Sequence, residues 1–203
     1  MHKSSYLKME WFKNNYLNKN TKLKILDVGS LDKTGNYNYS TIFDEDNWSY
    51  IGCDIENGNN VDIIIDDIYN WSKIEDDSYD VIISGQFFEH IKFFWFTLGQ
   101  IKRVLKPGGY VCIIAPSDGP THGGDLPDCY RFYEDSARAM AKYINFDVIH
   151  ASTNNSDEAK PWYDTCLVAY KNVDGEVNTH KLENMMNNLE NKLDNILNVI
   201  KSK

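Results

Sequence analysis

The stretch Leu23-Lys24-Ile25-Leu26-Asp27-Val28-Gly29-Ser30 decides the fold class of this chain. It is a short apolar run that closes on an acid and a glycine. Similar short runs, most of them almost continuously apolar and rich in β-branched residues, follow at 50–53, 61–65, 79–84 and 110–115. Such runs are typical of strands that are buried on both faces of a parallel sheet.

Helical segments alternate with these runs. We predict helices at 6–16, 93–105 and around 135–144, and two later strands at 146–150 and 165–170. The second helix should end before Lys106-Pro107-Gly108-Gly109, a helix-end and turn signal that leads into the fifth strand. The alternation predicts an α/β fold with a doubly wound, mostly parallel sheet, and it places ligands at the carboxyl ends of the strands.

A composition change divides the chain into a main domain, 1–175, and a C-terminal segment, 176–203. The segment is polar and Asn-rich, and its apolar residues alternate spacings of four and three. These are Leu182, Met186, Leu189, Leu193, Ile196 and Ile200. We predict an extended, coiled-coil-like helix that needs a partner: a second copy, the domain's own surface or a segment of a larger polypeptide. A homodimer is the favoured outcome.

Composition excludes several classes of protein. The chain has 203 residues and a net charge of −9, and it shows no basic stripe, which disfavours binding to nucleic acid. Its apolar runs are too short for a membrane span, and the first residues do not form a secretory signal. The four cysteines form no C-x-x-C pair, which favours a reducing compartment. We therefore expect a cytoplasmic protein.

Three acids follow three successive strands: Asp27, Asp54 and Asp67. An acid in the position of Asp54 can accept hydrogen bonds from the hydroxyls of a ribose, and Asp67 beside Ile68 suits an adenine. The G-x-G-x-x-G and G-x-x-x-x-G-K-[ST] patterns are missing from the sequence, which argues against NAD and ATP. The alternative is that the acids are helix N-caps. As a set they favour an adenosine site.

The order ILDVGS, YIGCDIE, IIIDDIYNW, SYDVIISGQFFEHI and IKRVLKPGGYVCIIAPS resembles class I S-adenosylmethionine-dependent methyltransferases of the type 11 group, over roughly residues 20–170. The stretches DVGSLDKTGNY, SGQFFEHIKFFW and HGGDLPDCYRFY are similar to a branch found with bacterial surface-glycan and sugar-modifying enzymes. The resemblance implies a seven-stranded, Rossmann-like methyltransferase sheet and S-adenosylmethionine as the cofactor.

The same resemblance implies the cofactor-binding residues. They are Asp27, Gly29, Ser30, Asp54, Ile55, Asp67, Ile68, Ser84, Gly85 and Gln86. The first motif would lie near the methionine amino group, Asp54 at the ribose and Asp67 with Ile68 at the adenine. The stretch 84–86 would pass the sulfonium and the methionine carboxylate. The chain departs from the family in its first turn, where the usual G-x-G is reduced to Gly29-Ser30-Leu31.

Two histidines are candidates for a general base in methyl transfer to a hydroxyl. His90 follows the fourth strand beside Glu89, a candidate acceptor-binding residue, although it could also serve only to hold its loop. Some relatives hold a divalent metal here with an acid-x-x-Glu-His pattern. This chain has Gln86 where the first acid would be, and we therefore expect no metal.

The second histidine, His122, lies on a Pro- and Gly-rich loop that also carries Asp128 and Tyr130 and is followed by Arg131. Such a loop could close over a polyol, and Arg131 could bind a phosphate or carboxylate through two hydrogen bonds. The alternative is that Arg131 pairs with Asp128 and that Tyr130 fills the core.

The favoured function is methyl transfer to a small acceptor, namely a sugar, a sugar nucleotide or a glycan precursor, with O-methylation preferred. The alternative is a cofactor-binding, weakly catalytic module that is tethered to a partner through its C-terminal helix. A third hypothesis is methylation of nucleic acid or protein. Nucleic acid is disfavoured, because the chain is acidic and its fourth strand leads into SGQFFEH rather than a base-flipping motif.

Overall fold

The structure is a computed structural model, and it describes residues 2–33, 35, 37–124 and 126–173. The predicted C-terminal helix, 176–203, and its heptad seam lie outside the described residues. The division into two parts therefore stays a prediction.

The fold is built on a seven-stranded sheet with the strand order β3-β2-β1-β4-β5-β7-β6. The strands are β1 Leu23–Val28, β2 Trp48–Asp54, β3 Ile63–Ile64, β4 Tyr79–Gly85, β5 Leu105–Ala115, β6 Asp147–Thr153 and β7 Thr165–Tyr170. The pairs among β1 to β5 are parallel, and β7 runs antiparallel to both neighbours. This architecture confirms the predicted α/β, mostly parallel fold.

Helices cover both faces of the sheet. They are α1 Lys3–Tyr16, α2 Phe94–Val104 and α3 Glu134–Tyr143. On one face, Met9 and Phe12 of α1 belong to a buried cluster with Ile25 of β1. On the other face, Ile101 of α2 and Met140 of α3 belong to a second buried cluster. Apolar contacts on both faces explain why the strands appear as continuous apolar runs in the sequence.

The predicted turn at 106–109 is wrong in detail. The strand β5 already begins at Leu105. Gly108 and Gly109 belong to this strand, and both form backbone hydrogen bonds with Lys171. The Gly108 amide donates to the Lys171 carbonyl at 2.7 Å, and the Lys171 amide donates to the Gly109 carbonyl at 3.0 Å. The parallel register with β4 shifts here, so the Pro-Gly-Gly segment bulges without ending the strand.

The strand β3 is shorter than the predicted run 61–65, because only Ile63 and Ile64 pair with β2. Between β1 and β2, the described residues contain a single helical element, the 3-10 turn Tyr39–Thr41, where a doubly wound sheet usually has a full helix. Loops therefore surround the carboxyl end of β1.

No helix in the described ranges has both the length and the apolar character that a membrane span requires. The cytoplasmic location stays a prediction.

Candidate active site

A cavity of about 400 Å³ lies at the carboxyl ends of β1, β2 and β4. The order of the strands reverses between β1 and β4, which is where open α/β sheets bind ligands. Of the residues implied for the cofactor, the following line the cavity: Asp27, Gly29, Ser30, Asp54, Ile55, Ile68, Gly85 and Gln86. Several aromatic residues also line the cavity and were not predicted from the sequence, among them Tyr37, Tyr39, Tyr69 and Phe87. The Tyr- and Asn-rich composition of 36–39 was the available signal for two of them.

Two glycines keep the cavity open. Gly29 has φ +78°, and a Cβ at this position would collide with the ring of Phe87. A Cβ at Gly85 would collide with the hydroxyl group of Tyr39. The floor of the cavity is therefore formed by backbone that side chains cannot cover.

Asp27 is buried at the base of the cavity. The Tyr50 hydroxyl donates to its Oδ2 at 2.5 Å, and Asn60 Nδ2 donates to the same hydroxyl at 2.9 Å. Burial raises the pKa of Asp27 to about 7, although the hydrogen bond from Tyr50 acts in the opposite direction. A cation beside this carboxyl would favour its ionised form.

Asp54 organises the loop that follows β2. Its Oδ1 accepts from the amides of Ile55 and Glu56 at 2.7 and 3.2 Å, and its Oδ2 accepts from the amide of Leu31 at 3.1 Å. A carboxylate offers about four acceptor positions, so roughly one remains for a ligand. Asp54 thus fixes the walls of the cavity and also lines it.

Asp67 and Ser84 are not among the residues that line the cavity. Asp67 is exposed, and its Oδ1 accepts from the Tyr69 amide at 2.8 Å, which fixes the turn that presents Ile68 and Tyr69 to the cavity. Ser84 is fully buried, and its hydroxyl donates to the Val28 carbonyl at 2.8 Å. Both residues hold neighbouring parts of the site in place.

Gln86 has φ +58° and connects the cavity to α1. Its Nε2 donates to Asp164 Oδ1 at 2.9 Å, and the other carboxylate oxygen of Asp164 accepts from the Ser4 hydroxyl at 2.8 Å. The Oε1 atom of Gln86 is buried and has no hydrogen-bond partner among the described residues. This oxygen is free to accept from a donor in the cavity.

The structure brings Glu89, His90 and His122 together, although His122 comes from a different loop. Glu89 is fully buried, and its Oε1 lies 3.7 Å from His90 Nε2 and 3.8 Å from His122 Nε2. His90 lines the cavity, and its ring centroid lies 4.9 Å from that of His122. One ligand atom from each of the three residues lies within 4.8 Å of the others, so they could hold a metal ion.

The loop that carries His122 is fastened to the turn that carries Glu89 and His90. The Cys129 amide donates to the Glu89 carbonyl at 2.7 Å. A Cβ at Gly123 would lie 3.1 Å from His90 Cε1, so a glycine beside His122 permits the close approach of the two loops. The nearby Glu89 carboxylate raises the pKa of His122, and Asp128 adds to this effect.

Asp128 and Arg131 form a two-fold hydrogen-bonded ion pair, with N–O distances of 2.6 and 2.9 Å. The Arg131 side chain lowers the pKa of Asp128 below its usual value. The Tyr130 hydroxyl donates to the Lys92 carbonyl at 2.7 Å, and its ring packs edge-on against Phe94. None of Asp128, Tyr130 and Arg131 lines the cavity. These contacts favour the structural alternative over acceptor binding for Tyr130 and Arg131.

Residues 27–113 match the family model described as a methyltransferase domain. The match covers less than half of the chain, and over these residues the chain is similar to methyltransferase domains. The match includes the first three acids of the site, Asp27, Asp54 and Asp67, as well as Glu89 and His90. It ends before His122, so the family match does not extend to the loop that completes the histidine cluster.

Solved structures share the fold of this chain at low sequence identity. A chain from the complex of the Haloferax volcanii Trm112 methyltransferase activator with a methyltransferase has a TM-score of 0.62 and 14% identity, over 83% of this chain and 90% of that one. A SAM-dependent methyltransferase from Methanosarcina mazei has a TM-score of 0.59 and 15% identity, over 79% and 97% of the two chains.

A third similar structure is phosphoethanolamine N-methyltransferase 2 of Haemonchus contortus in complex with S-adenosyl-L-methionine. It has a TM-score of 0.57 and 15% identity. The similar region covers 82% of this chain but only 53% of that enzyme. No curated protein matches the sequence. The family match together with such neighbours supports S-adenosylmethionine as the cofactor.

Proposed function

We propose that this methyltransferase transfers the methyl group of S-adenosylmethionine to a hydroxyl oxygen of a small polyol, namely a sugar, a sugar nucleotide or a glycan precursor. The observation that carries the proposal is one cavity lined by two chemically different sets of residues. Groups suited to an adenosine and an ammonium form the cofactor end, and His90 with its neighbours Glu89 and His122 forms the histidine end. A methyl donor and a proton-accepting group would then share one enclosed space.

Four features support the proposed cofactor site. Asp27 offers a buried carboxyl to the methionine ammonium, and Asp54 retains an acceptor position for a ribose hydroxyl. Ile68 and Tyr69 offer apolar surface to an adenine ring. The Oε1 of Gln86, which has no partner in the described part of the chain, can accept from a further donor. The bound cofactor supplies the electrophilic methyl group, and the protein supplies binding and orientation.

The histidine cluster supports a hydroxyl acceptor. A sugar hydroxyl has a high pKa, so its oxygen is a good nucleophile only when a neighbouring group takes the proton or acidifies it. His90 lines the cavity, and Glu89 can stabilise a positive charge on either histidine, because its Oε1 lies 3.7 Å from His90 Nε2 and 3.8 Å from His122 Nε2. We assign proton removal to His90 and His122 and the support of their charge to Glu89.

The test is methyl transfer from labelled S-adenosylmethionine to a panel of sugar nucleotides and free sugars. We expect S-adenosylhomocysteine to form with at least one acceptor of this class, and calorimetry to show cofactor binding in the low-micromolar to submillimolar range, about −5 to −8 kcal/mol. Cofactor binding combined with transfer only to amine or carbon acceptors would overturn the choice of a hydroxyl.

A second candidate function is a weakly catalytic module that acts together with a partner protein. One structural neighbour was solved in complex with a methyltransferase activator. In this chain, Phe93, Trp95 and Phe96 are large exposed aromatic side chains around the start of α2. If the full chain binds S-adenosylmethionine but transfers no methyl group to any acceptor, and a binding partner restores the transfer, this function replaces the first.

We also propose that residues 179–203 associate with a second copy of the chain, on the basis of their heptad spacing alone. Light scattering on the full chain and on a chain that ends at Asn178 decides the question. We expect a dimer for the first and a monomer for the second. Two monomers at tens of micromolar would show that the proposal is wrong.

A further inference from the structure

We propose that Glu89, His90 and His122 bind a divalent transition-metal ion, of which Zn²⁺ is the best-fitting example. The site deepens the proposed function and rests on it only for its role in catalysis, because metal binding itself can be measured without a methyl acceptor.

The polar neighbours of the two histidines favour tautomers whose lone pairs face Glu89. His90 Nδ1 lies 2.7 Å from the Pro127 carbonyl, which can only accept, so Nδ1 carries the proton and the lone pair is on Nε2. His122 Nδ1 lies 3.4 Å from Asp128 Oδ2, which favours the same tautomer. Both Nε2 atoms then face Glu89 Oε1, at 3.7 and 3.8 Å.

Glu89 itself lacks donors. Its side chain is fully buried, and neither carboxylate oxygen has a hydrogen-bond partner in the described part of the chain. A buried acceptor without a donor destabilises a fold by about 1–3 kcal/mol, and a charged one by more. Two nitrogen lone pairs and a carboxylate that face one another require a positive charge between them. A proton or a metal ion could supply it.

The surrounding charges also favour a cation. Asp128 is ion-paired with Arg131, so these two residues cancel each other. Glu89 then leaves one uncompensated negative charge in the cluster while both imidazoles are neutral. The carbonyl of Pro127 and the carboxylate of Asp128, which orient the two histidines, are the kinds of outer partner that accompany metal-bound histidines.

The ligand types select the class of metal. Two imidazoles and one carboxylate suit Zn²⁺ or a similar transition-metal ion, whereas Mg²⁺ and Ca²⁺ prefer oxygen ligands. Ligand bonds of about 2.0–2.2 Å place tetrahedral ligand atoms about 3.4 Å apart. The observed separations are 3.7–3.8 Å from Glu89 to each histidine and at most 4.8 Å within the group, so small side-chain movements would complete the site.

The position of the site gives the ion a role in the reaction. Three protein ligands leave an open coordination position, and His90 places the site at the wall of the cavity. An acceptor hydroxyl that coordinates the ion loses its proton to solvent more easily. Its oxygen then forms a bond to the methyl carbon, the carbon–sulfur bond breaks, and the electron pair of that bond stays on the sulfur of S-adenosylhomocysteine.

The experiment uses the full chain, purified without a polyhistidine tag and treated with a chelator. Titration with Co²⁺ should give visible absorption bands of a tetrahedral or five-coordinate ion at about one equivalent per chain, and Zn²⁺ should displace it. Glu89→Gln and His122→Asn should weaken Zn²⁺ binding by at least about tenfold in calorimetry. The matched controls Glu75→Gln and His150→Asn should bind as the unaltered chain does.

Circular dichroism monitors the fold of each variant, and His122→Asn decides the matter if Glu89→Gln does not fold. No binding of Co²⁺ or Zn²⁺, or binding that neither variant weakens, overturns the site. A metal-free chain that methylates its acceptor at the full rate overturns the catalytic role and leaves the histidines as bases. Metal binding without any methyl transfer supports the site and overturns the proposed function instead.

Discussion

The two ends of the cavity satisfy their polar groups in different ways. At the cofactor end, Asp54 accepts from backbone amides on both oxygens, and Asp27 accepts from Tyr50. At the histidine end, neither oxygen of Glu89 has a hydrogen-bond partner among the described residues. The first end is therefore organised before a ligand arrives, whereas the second is complete only with a proton or a metal ion.

The largest effect is expected from changes at the histidine end. His90→Ala or His122→Ala should lower turnover by about 10²–10⁴-fold, because the acceptor loses the group that removes or acidifies its proton. Calorimetry should show that S-adenosylmethionine still binds, since the cofactor end is intact. His150→Asn, in β6, is the matched control. Near-normal rates of both variants on a hydroxyl acceptor would assign the cluster to positioning alone.

At the cofactor end, Asp54→Ala should weaken the binding of S-adenosylmethionine by about 1.5–3 kcal/mol, because a ribose loses a charged acceptor. The loop after β2 also loses the hydrogen bonds that Asp54 accepts from its backbone amides. Calorimetry measures the affinity, and thermal unfolding measures the effect of the lost hydrogen bonds on stability. Asp66→Asn is the control, because Asp66 is an exposed acid after β3 that pairs with Lys73. Unchanged affinity of Asp54→Ala would remove Asp54 from the ribose site.

The pH dependence of cofactor binding tests Asp27. Its pKa is raised to about 7, and a bound ammonium favours the ionised form. Affinity should therefore fall by up to about tenfold for each pH unit below 7 and level off above it. Asp27→Asn should remove this slope. A slope that persists in the variant would assign the titration to another group.

The stability of the cofactor-free chain should show the opposite trend. The folded pKa of Asp27 lies above the unfolded value of about 4, so the protonated folded form is favoured at low pH. The contribution of Asp27 to the free energy of unfolding is thus full below about pH 4 and is lost as the pH rises through about 7. Denaturant unfolding of the unaltered chain and of Asp27→Asn, repeated between about pH 4 and pH 7, measures this contribution.

The smallest effect is expected outside the cavity, at Tyr130. Tyr130→Phe removes the hydrogen bond to the Lys92 carbonyl and keeps the ring against Phe94. The free energy of unfolding should fall by about 0.5–1.5 kcal/mol, while the KM for the acceptor stays unchanged. Denaturant unfolding and steady-state kinetics measure the two quantities. A raised KM for the acceptor without a loss of stability would show that Tyr130 contributes to acceptor binding.

The sequence predicted most of the sheet. The bounds predicted for β1 and β7 agree with the structure, because both strands are short, mostly apolar runs that are followed by a glycine or by polar residues. The predicted β3 was too long, because a strand at the edge of a sheet pairs on one side only and the run 61–65 carries no signal for where that pairing begins. The bulge in β5 was missed for a related reason: its glycines are held by Lys171, far away in the sequence.

The sequence also determined the chemistry available at the ends of the strands, because acids and glycines that follow apolar runs meet at one edge of a parallel sheet. It did not determine which oxygens are already occupied, as the three backbone amides on Asp54 illustrate. Only the tertiary structure decided that Glu89 is buried with no donor among the described residues. It also decided that His122, from another loop, adds a third possible metal ligand to Glu89 and His90, where the motif has Gln86 in place of an acid. Residue type is local information, whereas burial and the meeting of two loops depend on the packing of the whole domain.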